Sequence, residues 1–498
     1  MSDNFPQSHL DPTTEITLDV VKKRAVSGIV VLTGRTFLLS VITLVATGLL
    51  TVFLDPDQFG VFWAVSAVVN FMAYFSDIGL AAALIQRKEK LTRSDLVTTF
   101  TVQQGLVFSI LIILFVAAPL VRRYYDLSQQ DLYLLLALGL SLMMSSFKTI
   151  PSVILERKMD FGRMVIPQVL ENLVFNIVAV VLAWKGFGVM SFTYAVLARG
   201  FVGLITMYII QPWMPSIGIN RKSLKNLMVY GVPYQANTLL ATLKDDGMTI
   251  FLGGVLGTTG LGFLGWAQKW AQAPLRFFMD QVIKVTFPAF SRMQDEKKQL
   301  EVSTTRSILF ICILVYPSLV GLLILAPMLV EIIPRYEKWT PALTALSLIG
   351  ITTVFAAVTT QVTNLLNAIG KIKLTFKFMV MWTVLTWIFV PLLAIKYGVN
   401  GAALGYVIVS SSSLVVIYIA KRYVEFSLKT SVLPPLISSI VMAAVLLILR
   451  SYVPYSVAGV IIIVLVGVAV FTGMMYAVAG SGVVHDAKRA FRILFTRK

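Results

Sequence analysis

Seven basic side chains lie inside long apolar runs of this sequence, where a lipid bilayer makes charge costly: Arg35, Lys148, Arg199, Lys244, Lys269, Arg276 and Lys284. A charge at mid-bilayer costs ~2.5–3.5 kcal/mol on insertion scales, so such a residue faces a wet cavity or a partner. Arginine grips phosphate oxygens bidentately and lysine acts on them as a point charge, so cations at this depth are suited to holding an anion. Lys269 and Arg276 are seven residues apart, within about 20° of one helical azimuth, and Asp280 and Lys284 prolong that edge. Arg35, Arg199, Lys269 and Arg276 are the candidate substrate-binding cations.

Five acids share these runs: Asp77, Glu171, Asp245, Asp246 and Asp280. Two readings of them stay open. They pair with the cations, as in a structural ladder Arg276–Asp280–Lys284 at i, i+4, i+8. Alternatively, one of them takes up a proton or sodium ion and couples transport to a gradient. Lys148 and Lys284 lie near the cytoplasmic ends of their runs and are expected to snorkel outward. Lys244 stands beside Asp245 and Asp246 and suits a local pair.

The elements that position these charges follow from composition. Of 498 residues 57% are hydrophobic and 13% charged, against roughly 25% charged in soluble proteins. The bilayer is therefore the solvent and the architecture all-α. Fourteen apolar segments are legible, at 25–52, 58–85, 96–121, 131–151, 164–184, 189–210, 226–256, 260–290, 305–333, 339–369, 374–395, 398–420, 432–450 and 455–479. Alternate connections carry 28 and 7 of the 42 Lys and Arg residues. Positive charge stays in the cytoplasm, so both termini are expected there, and the basic loops are topology signals rather than a nucleic-acid surface. The same loops can meet anionic lipid headgroups.

Several activities are excluded. No connection is long enough for a soluble catalytic or nucleotide-binding domain, and no GxxxxGK[ST] loop occurs, so this chain does not hydrolyse ATP itself. Gly260, Gly262 and Gly265 match GxGxxG only formally, without a strand before them. The single cysteine, Cys312, and two histidines, His9 and His485, offer no clustered ligands, so no metal or other cofactor is expected. Trp184, Trp213 and Trp339 are expected as headgroup-level anchors. Trp266 and Trp270 read as packing residues, and Pro274 and Pro288 as a possible hinge of the eighth segment.

A period near 205 residues recurs: Gly28 with Gly231, Gly60 with Gly262, and Gly188–Val189 with Gly398–Val399. Six segments separate matching points, so the halves share one orientation, as in parallel transporter repeats. The implied organisation is a disordered cytoplasmic tail 1–20, a six-helix bundle 21–210, a linker 211–226, a second six-helix bundle 227–425, two additional helices 426–480 and a basic tail 481–498.

The stretches QFGVFWAVSAVVNFMAYFSDIGLAAALIQRKE (58–89), PSVILERKMDFGRM (151–164), YGVPYQANTLL (230–240), GLGFLGWAQKWAQAPLRFFMDQVIKVTFPAFSRMQDE (260–296) and NLLNAIGKIKL (364–374) resemble the bacterial polysaccharide exporters. These are lipid-linked oligosaccharide flippases of the multidrug/oligosaccharidyl-lipid/polysaccharide superfamily. Within it the sequence is most similar to colanic-acid-type exopolysaccharide exporters, over nearly the whole chain after residue 20. The resemblance implies two bundles in a V shape and alternating access through a central cationic cavity in the bacterial inner membrane. It implies undecaprenyl-pyrophosphate-linked oligosaccharide as substrate. On the reading of the intramembrane charges given above, the diphosphate would meet Arg35, Arg199, Lys269 and Arg276 while the tail stays in lipid. Polysaccharide polymerase machinery is a possible partner. An ion-coupled drug exporter of the same fold is the rival reading. A membrane polymerase or glycosyltransferase would need a sizeable outward loop with acid and base residues, which is missing.

Overall fold

The computed structural model describes residues 18–87 and 89–495. The expected disordered tail up to residue 17, with His9, and the last three residues of the basic tail lie outside the described residues. Every regular element among the described residues is helical. Among the described residues, twelve helical stretches are long and apolar enough to cross a membrane. Two of these, Thr238–Arg292 and Ile372–Lys421, are broken by glycines in left-handed conformation, Gly257 (φ 69°) and Gly398 (φ 60°). Each piece on either side of those glycines is itself long enough to span, which accounts for fourteen crossings. Only glycine adopts such a backbone without a steric penalty, so these residues turn the chain where a loop would otherwise be needed.

The chain divides into two compact units, the first ending at Gly262 and the second beginning at Phe263. The first contains α1 (Leu18–Phe53), α2 (Pro56–Ala73), α3 (Leu80–Gln86), α4 (Arg93–Tyr125), α5 (Gln129–Phe147), α6 (Thr149–Arg157), α7 (Phe161–Trp184), α8 (Met190–Ile210), α9 (Arg221–Thr242) and the start of α10 (Met248–Arg292). Two of its membrane helices start on capping boxes. Thr92 and Asp95 form a capping box on α4, and Ser128 and Asp131 another on α5. These boxes satisfy N–H groups that the helix itself leaves open.

Two of the topology-signalling arginines also hold loops together. Arg87 bridges to Asp95 at 2.9 Å. Arg157 donates to the carbonyl oxygens of Leu84 (2.8 Å) and Arg87 (2.6 Å). The segment expected at 131–151 continues as α5 and α6 to Arg157. The segment expected at 58–85 is interrupted, α2 passing through a 3₁₀ turn, Tyr74–Ser76, before α3 restarts.

The second unit holds the rest of α10, α11 (Lys297–Ile332), α12 (Leu343–Ala368), α13 (Ile372–Ser411), α14 (Ser413–Lys421), α15 (Leu428–Ser431), α16 (Leu433–Arg450) and α17 (Val457–Phe495). Its core gathers Met279, Ile308, Ile311, Cys312, Tyr316, Val362 and Phe378. The two additional helices pack through Met442, Leu446, Ile463 and Phe471 onto Ile324 and Met328 of α11. A polar seam joins α10 to α12: Asn364 donates to Thr286 at 2.9 Å, and Thr353 to the Ala271 carbonyl at 3.2 Å. Helical dihedrals persist through Pro274 and Pro288, and the break in α10 falls at Gly257 instead.

Two of the three expected interfacial tryptophans are corrected by packing. Trp184 is exposed, but Trp339 is fully buried and stacks on Trp266, and Trp213 is buried against Phe100. Flanking position in the sequence made them look like headgroup anchors. Aromatic neighbours on adjoining elements claimed them for the core.

Candidate functional site

Charge inside the first unit concentrates where α7 and α8 meet. Glu171 stands on α7 one turn before Phe175, and Arg199 stands on α8 one turn before Gly203. Residues four apart share a helical face, so the two pairs oppose each other. A β-carbon on Gly203 would overlap the Glu171 carboxylate, so glycine there lets the acid lie directly on α8. The Arg199 guanidinium carbon sits 5.2 Å from the Phe175 ring centroid, within cation–π range. Phe175 is 6.3 Å from Phe62, which stacks on Phe192 at 4.2 Å.

Glu171 is held by Lys148, Nζ to Oε1 2.5 Å, with both side chains largely buried at 12% and 20% exposure. Lys148 therefore does not snorkel to the surface. The continuation of α5 into α6 carries the chain nine residues beyond it, to Arg157, and the Lys148 side chain stays engaged with Glu171 inside the protein. With the carboxylate engaged by Lys148, Arg199 has no carboxylate within ion-pair distance among the described residues. Glu171 acts on it only through space. Arg35, half-buried on α1, leaves its Nε buried and without a hydrogen-bond partner. The helices α1 and α7 touch through Asn172, which donates to Thr43 at 3.4 Å.

Asp77 has a backbone role in the structure. Its carboxylate accepts from the N–H of Leu80 (2.8 Å) and Ala81 (3.3 Å), capping α3 where the helix restarts. The intervening Gly79 is left-handed (φ 73°) and lies so close to Gly231 of α9 that neither admits a β-carbon. One turn beyond Gly231, Gln235 donates to the Tyr74 carbonyl at 2.6 Å, and the Tyr74 hydroxyl donates back to the Gln235 carbonyl. A broken membrane helix, its free carbonyl satisfied by a neighbouring side chain, is the kind of element from which transporters build binding sites.

Asp245 and Asp246 occupy a π-helical turn, Leu243–Gly247. Lys244 pairs with Asp245 at 2.5 Å, the local pair anticipated from their adjacency, and Asp246 lies towards Asn70 of α2.

In the second unit, Lys269, Arg276 and Asp280 share one exposed edge of α10. The packed stripe of the same helix runs through Ala267 and Ala271, about half a turn away. Arg276 donates to Gln272 at 3.1 Å, not to Asp280. Neither Lys269 nor Arg276 is in an ion pair among the described residues, and Arg276 adds like charge beside Lys269. The structure thus brings Arg199 together with Glu171 and Lys148 in the first unit, and Lys269 with Arg276 in the second. Sequence reasoning missed Phe175, Gly203 and Gln235. Their four-residue spacing from Glu171, Arg199 and Gly231 is visible in the chain, yet acquires meaning only once α7 is known to face α8 and α9 to face the break before α3.

A family model described as "Polysaccharide biosynthesis protein" matches residues 49–344. The chain belongs to that family. It is 24% identical over 382 residues to the lipopolysaccharide biosynthesis protein WzxC of Escherichia coli (strain K12), covering 73% of this chain and 74% of the relative. It is 22% identical over 274 residues to the succinoglycan biosynthesis transport protein ExoT of Rhizobium meliloti (strain 1021), covering 55% of each. Among solved structures it resembles the lipid II flippase MurJ in its inward closed conformation, with TM-score 0.71 at 15% identity over 88% of this chain and 98% of that one. An inward-facing multidrug transporter of the MATE family follows, with TM-score 0.58 at 17% identity over 77% and 94%. The family member therefore shares the helical fold of these two solved structures.

Proposed function

We propose that this family member is a transporter, not an enzyme, and that it carries a polyprenyl-pyrophosphate-linked oligosaccharide across the bacterial inner membrane by alternating access. The carrying observation is the charge balance at Arg199. The nearest acid is consumed by Lys148, so the guanidinium stands deep in its span with an aromatic face on one side and no carboxylate at ion-pair distance among the described residues. A diphosphate supplies the missing anion, and arginine offers it two parallel hydrogen bonds. Arg35, Lys269 and Arg276 are further cations that the headgroup meets as it crosses, while the polyprenyl tail remains in lipid. The names of WzxC, ExoT and MurJ, which speak of polysaccharide biosynthesis, transport and a lipid-linked substrate, support this reading.

The basic connections put both termini in the cytoplasm on this reading, and polysaccharide polymerase is a plausible recipient of the cargo. The organisation into a parallel pair of six-helix bundles, 21–210 and 227–425, is supported by the matching close approaches of Gly60 to Thr258 and of Gly262 to Pro56.

The test replaces Arg35, Arg199 and Lys269 singly by glutamine in a strain whose polymer export depends on this chain. A hydrogen bond to a charged group contributes ~1.5–3 kcal/mol, so Arg199→Gln is expected to cut export about ten- to hundredfold. Undiminished export from all three variants overturns the proposal. The likeness to a MATE transporter keeps a second reading in view, ion-coupled export of small molecules, with Asp246 and Asn70 at the π-helical turn as the coupling pair. That reading requires export to fall when proton and sodium gradients are both collapsed.

A further inference from the structure

The connection between α8 and α9 buries one face and leaves a large apolar one uncovered. Residues 211–220 run extended along the start of α4. Gln211 and Trp213 are buried, the N–H of Gly218 donates to Thr101 and that of Asn220 to Thr98, both at 3.0 Å. The alternate side chains point away from the protein: Met214 is 82% exposed, Ile217 90% and Ile219 61%. Water is a poor solvent for such a cluster. Its depth supplies a better one. A helix of 33 residues such as α4 is about 50 Å long, whereas the hydrocarbon core is ~30 Å thick, so α4 overhangs by about 10 Å at each end. Thr98 and Thr101 lie about 8–12 Å from its start, which for a helix centred in the bilayer is the boundary between headgroups and acyl chains.

The first turns of α9 continue that surface with a polarity gradient. Arg221, Lys225, Met228 and Val229 follow one another at i, i+4, i+7 and i+8 and line a single shallow cleft with Leu224. Ser223 and Leu227 occupy the opposite, buried face. Cations stand at the aqueous end, and Met228 and the strongly exposed Val229 about two turns further along the helix. Neither Arg221, Lys222 nor Lys225 has an acidic partner among the described residues.

We propose that this cleft binds an anionic glycerophospholipid of the cytoplasmic leaflet, its phosphate held by Arg221 and Lys225, one acyl chain lying along Met228 and Val229, and Ile217 and Ile219 seated among the neighbouring lipids. The leaflet, though not the chemistry, rests on the orientation proposed above. The site anchors the segment that joins the two related halves of the chain to the membrane surface. Each basic residue near an anionic surface contributes about fivefold in lipid affinity.

The test uses the full chain with Cys312→Ser and a spin label at Ile217→Cys, reconstituted in nanodiscs of phosphatidylcholine with or without phosphatidylglycerol. In discs containing phosphatidylglycerol the label is expected at interfacial depth, more accessible to oxygen than to a water-soluble nickel complex. Retention of phosphatidylglycerol in native mass spectra is expected to fall about 25-fold in Arg221→Gln/Lys225→Gln, two charges at fivefold each. A label in bulk water in both discs overturns the proposal and leaves the surface to a soluble partner. Preferential retention of a polyprenyl phosphate over phosphatidylglycerol overturns it too, and assigns the cleft to the cargo's own lipid. Both readouts are independent of polymer export, so they stand or fall separately from the transport reading.

Discussion

Gly60 of α2 lies against the backbone of Thr258 so closely that a β-carbon on the glycine would overlap the Thr258 carbonyl oxygen. The relationship is reciprocal: a β-carbon on Gly262 would overlap the carbonyl oxygen of Pro56. Pro56 and Thr258 differ by 202 in number, and so do Gly60 and Gly262. Both close approaches lie within the first unit and join the start of α2 to the stretch of α10 that follows Gly257. Asp57 fastens the same contact, accepting from Thr258 and, at 3.4 Å, from Thr259.

Alanine at either glycine is therefore expected to destabilise the fold, since backbone rather than a mobile side-chain tip blocks the added methyl. Overpacking of this kind costs ~1–3 kcal/mol. Gly105→Ala on α4, where nothing lies within 4 Å, provides the control and is expected to leave Tm unchanged or raised. Thermal unfolding in detergent checks the contrast. Equal Tm values for Gly60→Ala, Gly262→Ala and Gly105→Ala would show that the close approach is not maintained.

Lys148 and Glu171 are expected to behave as a unit. Removing one partner strands a largely buried charge, at a cost of roughly 3 kcal/mol, whereas removing both does not. Lys148→Met and Glu171→Gln should each lower Tm, and the double variant should recover most of the loss. Gly203→Ala should resemble Glu171→Gln, because the new methyl takes the space of the carboxylate. Additive losses in the double variant would contradict the pairing.

Asp77 separates a structural from a coupling role. If it caps α3, Asp77→Asn keeps an acceptor for the N–H groups of Leu80 and Ala81 and preserves both stability and transport, while Asp77→Ala loses ~1 kcal/mol. If it carries a proton or cation, Asp77→Asn abolishes gradient-driven export at unchanged stability. Parallel unfolding and export measurements on the two variants distinguish these outcomes.

Cys312 is fully buried in the core of the second unit. Maleimide reagents are expected to leave the folded protein unmodified and to label it only as it unfolds. Rapid labelling at temperatures well below Tm would mean that α11 is far more open than its packing against α12 allows.

Much of this protein was decided locally. The length of each apolar run, the glycines that end or turn it and the sorting of lysine and arginine between alternate connections were all legible, because partition into lipid depends on what each stretch of about 20 residues contains and not on its neighbours. The extension of α6 to Arg157 was underestimated, since Glu156 and Arg157 look like an end to a hydropathy reading. The family resemblance was legible for the same reason: its motifs are contiguous.

Which charge meets which was not legible. The ladder Arg276–Asp280–Lys284 satisfied helical spacing, yet Arg276 turns to Gln272. Glu171 takes Lys148 from a helix 23 residues earlier, leaving Arg199 to Phe175. Such choices depend on the rotation and level of one helix against another. In a bilayer the apolar periphery of every helix is equally acceptable to lipid, so hydropathy does not record that rotation. It is set by small residues, Gly203 against Glu171 and Gly60 against Thr258, whose partners are distant in the chain and become known only when the helices are packed.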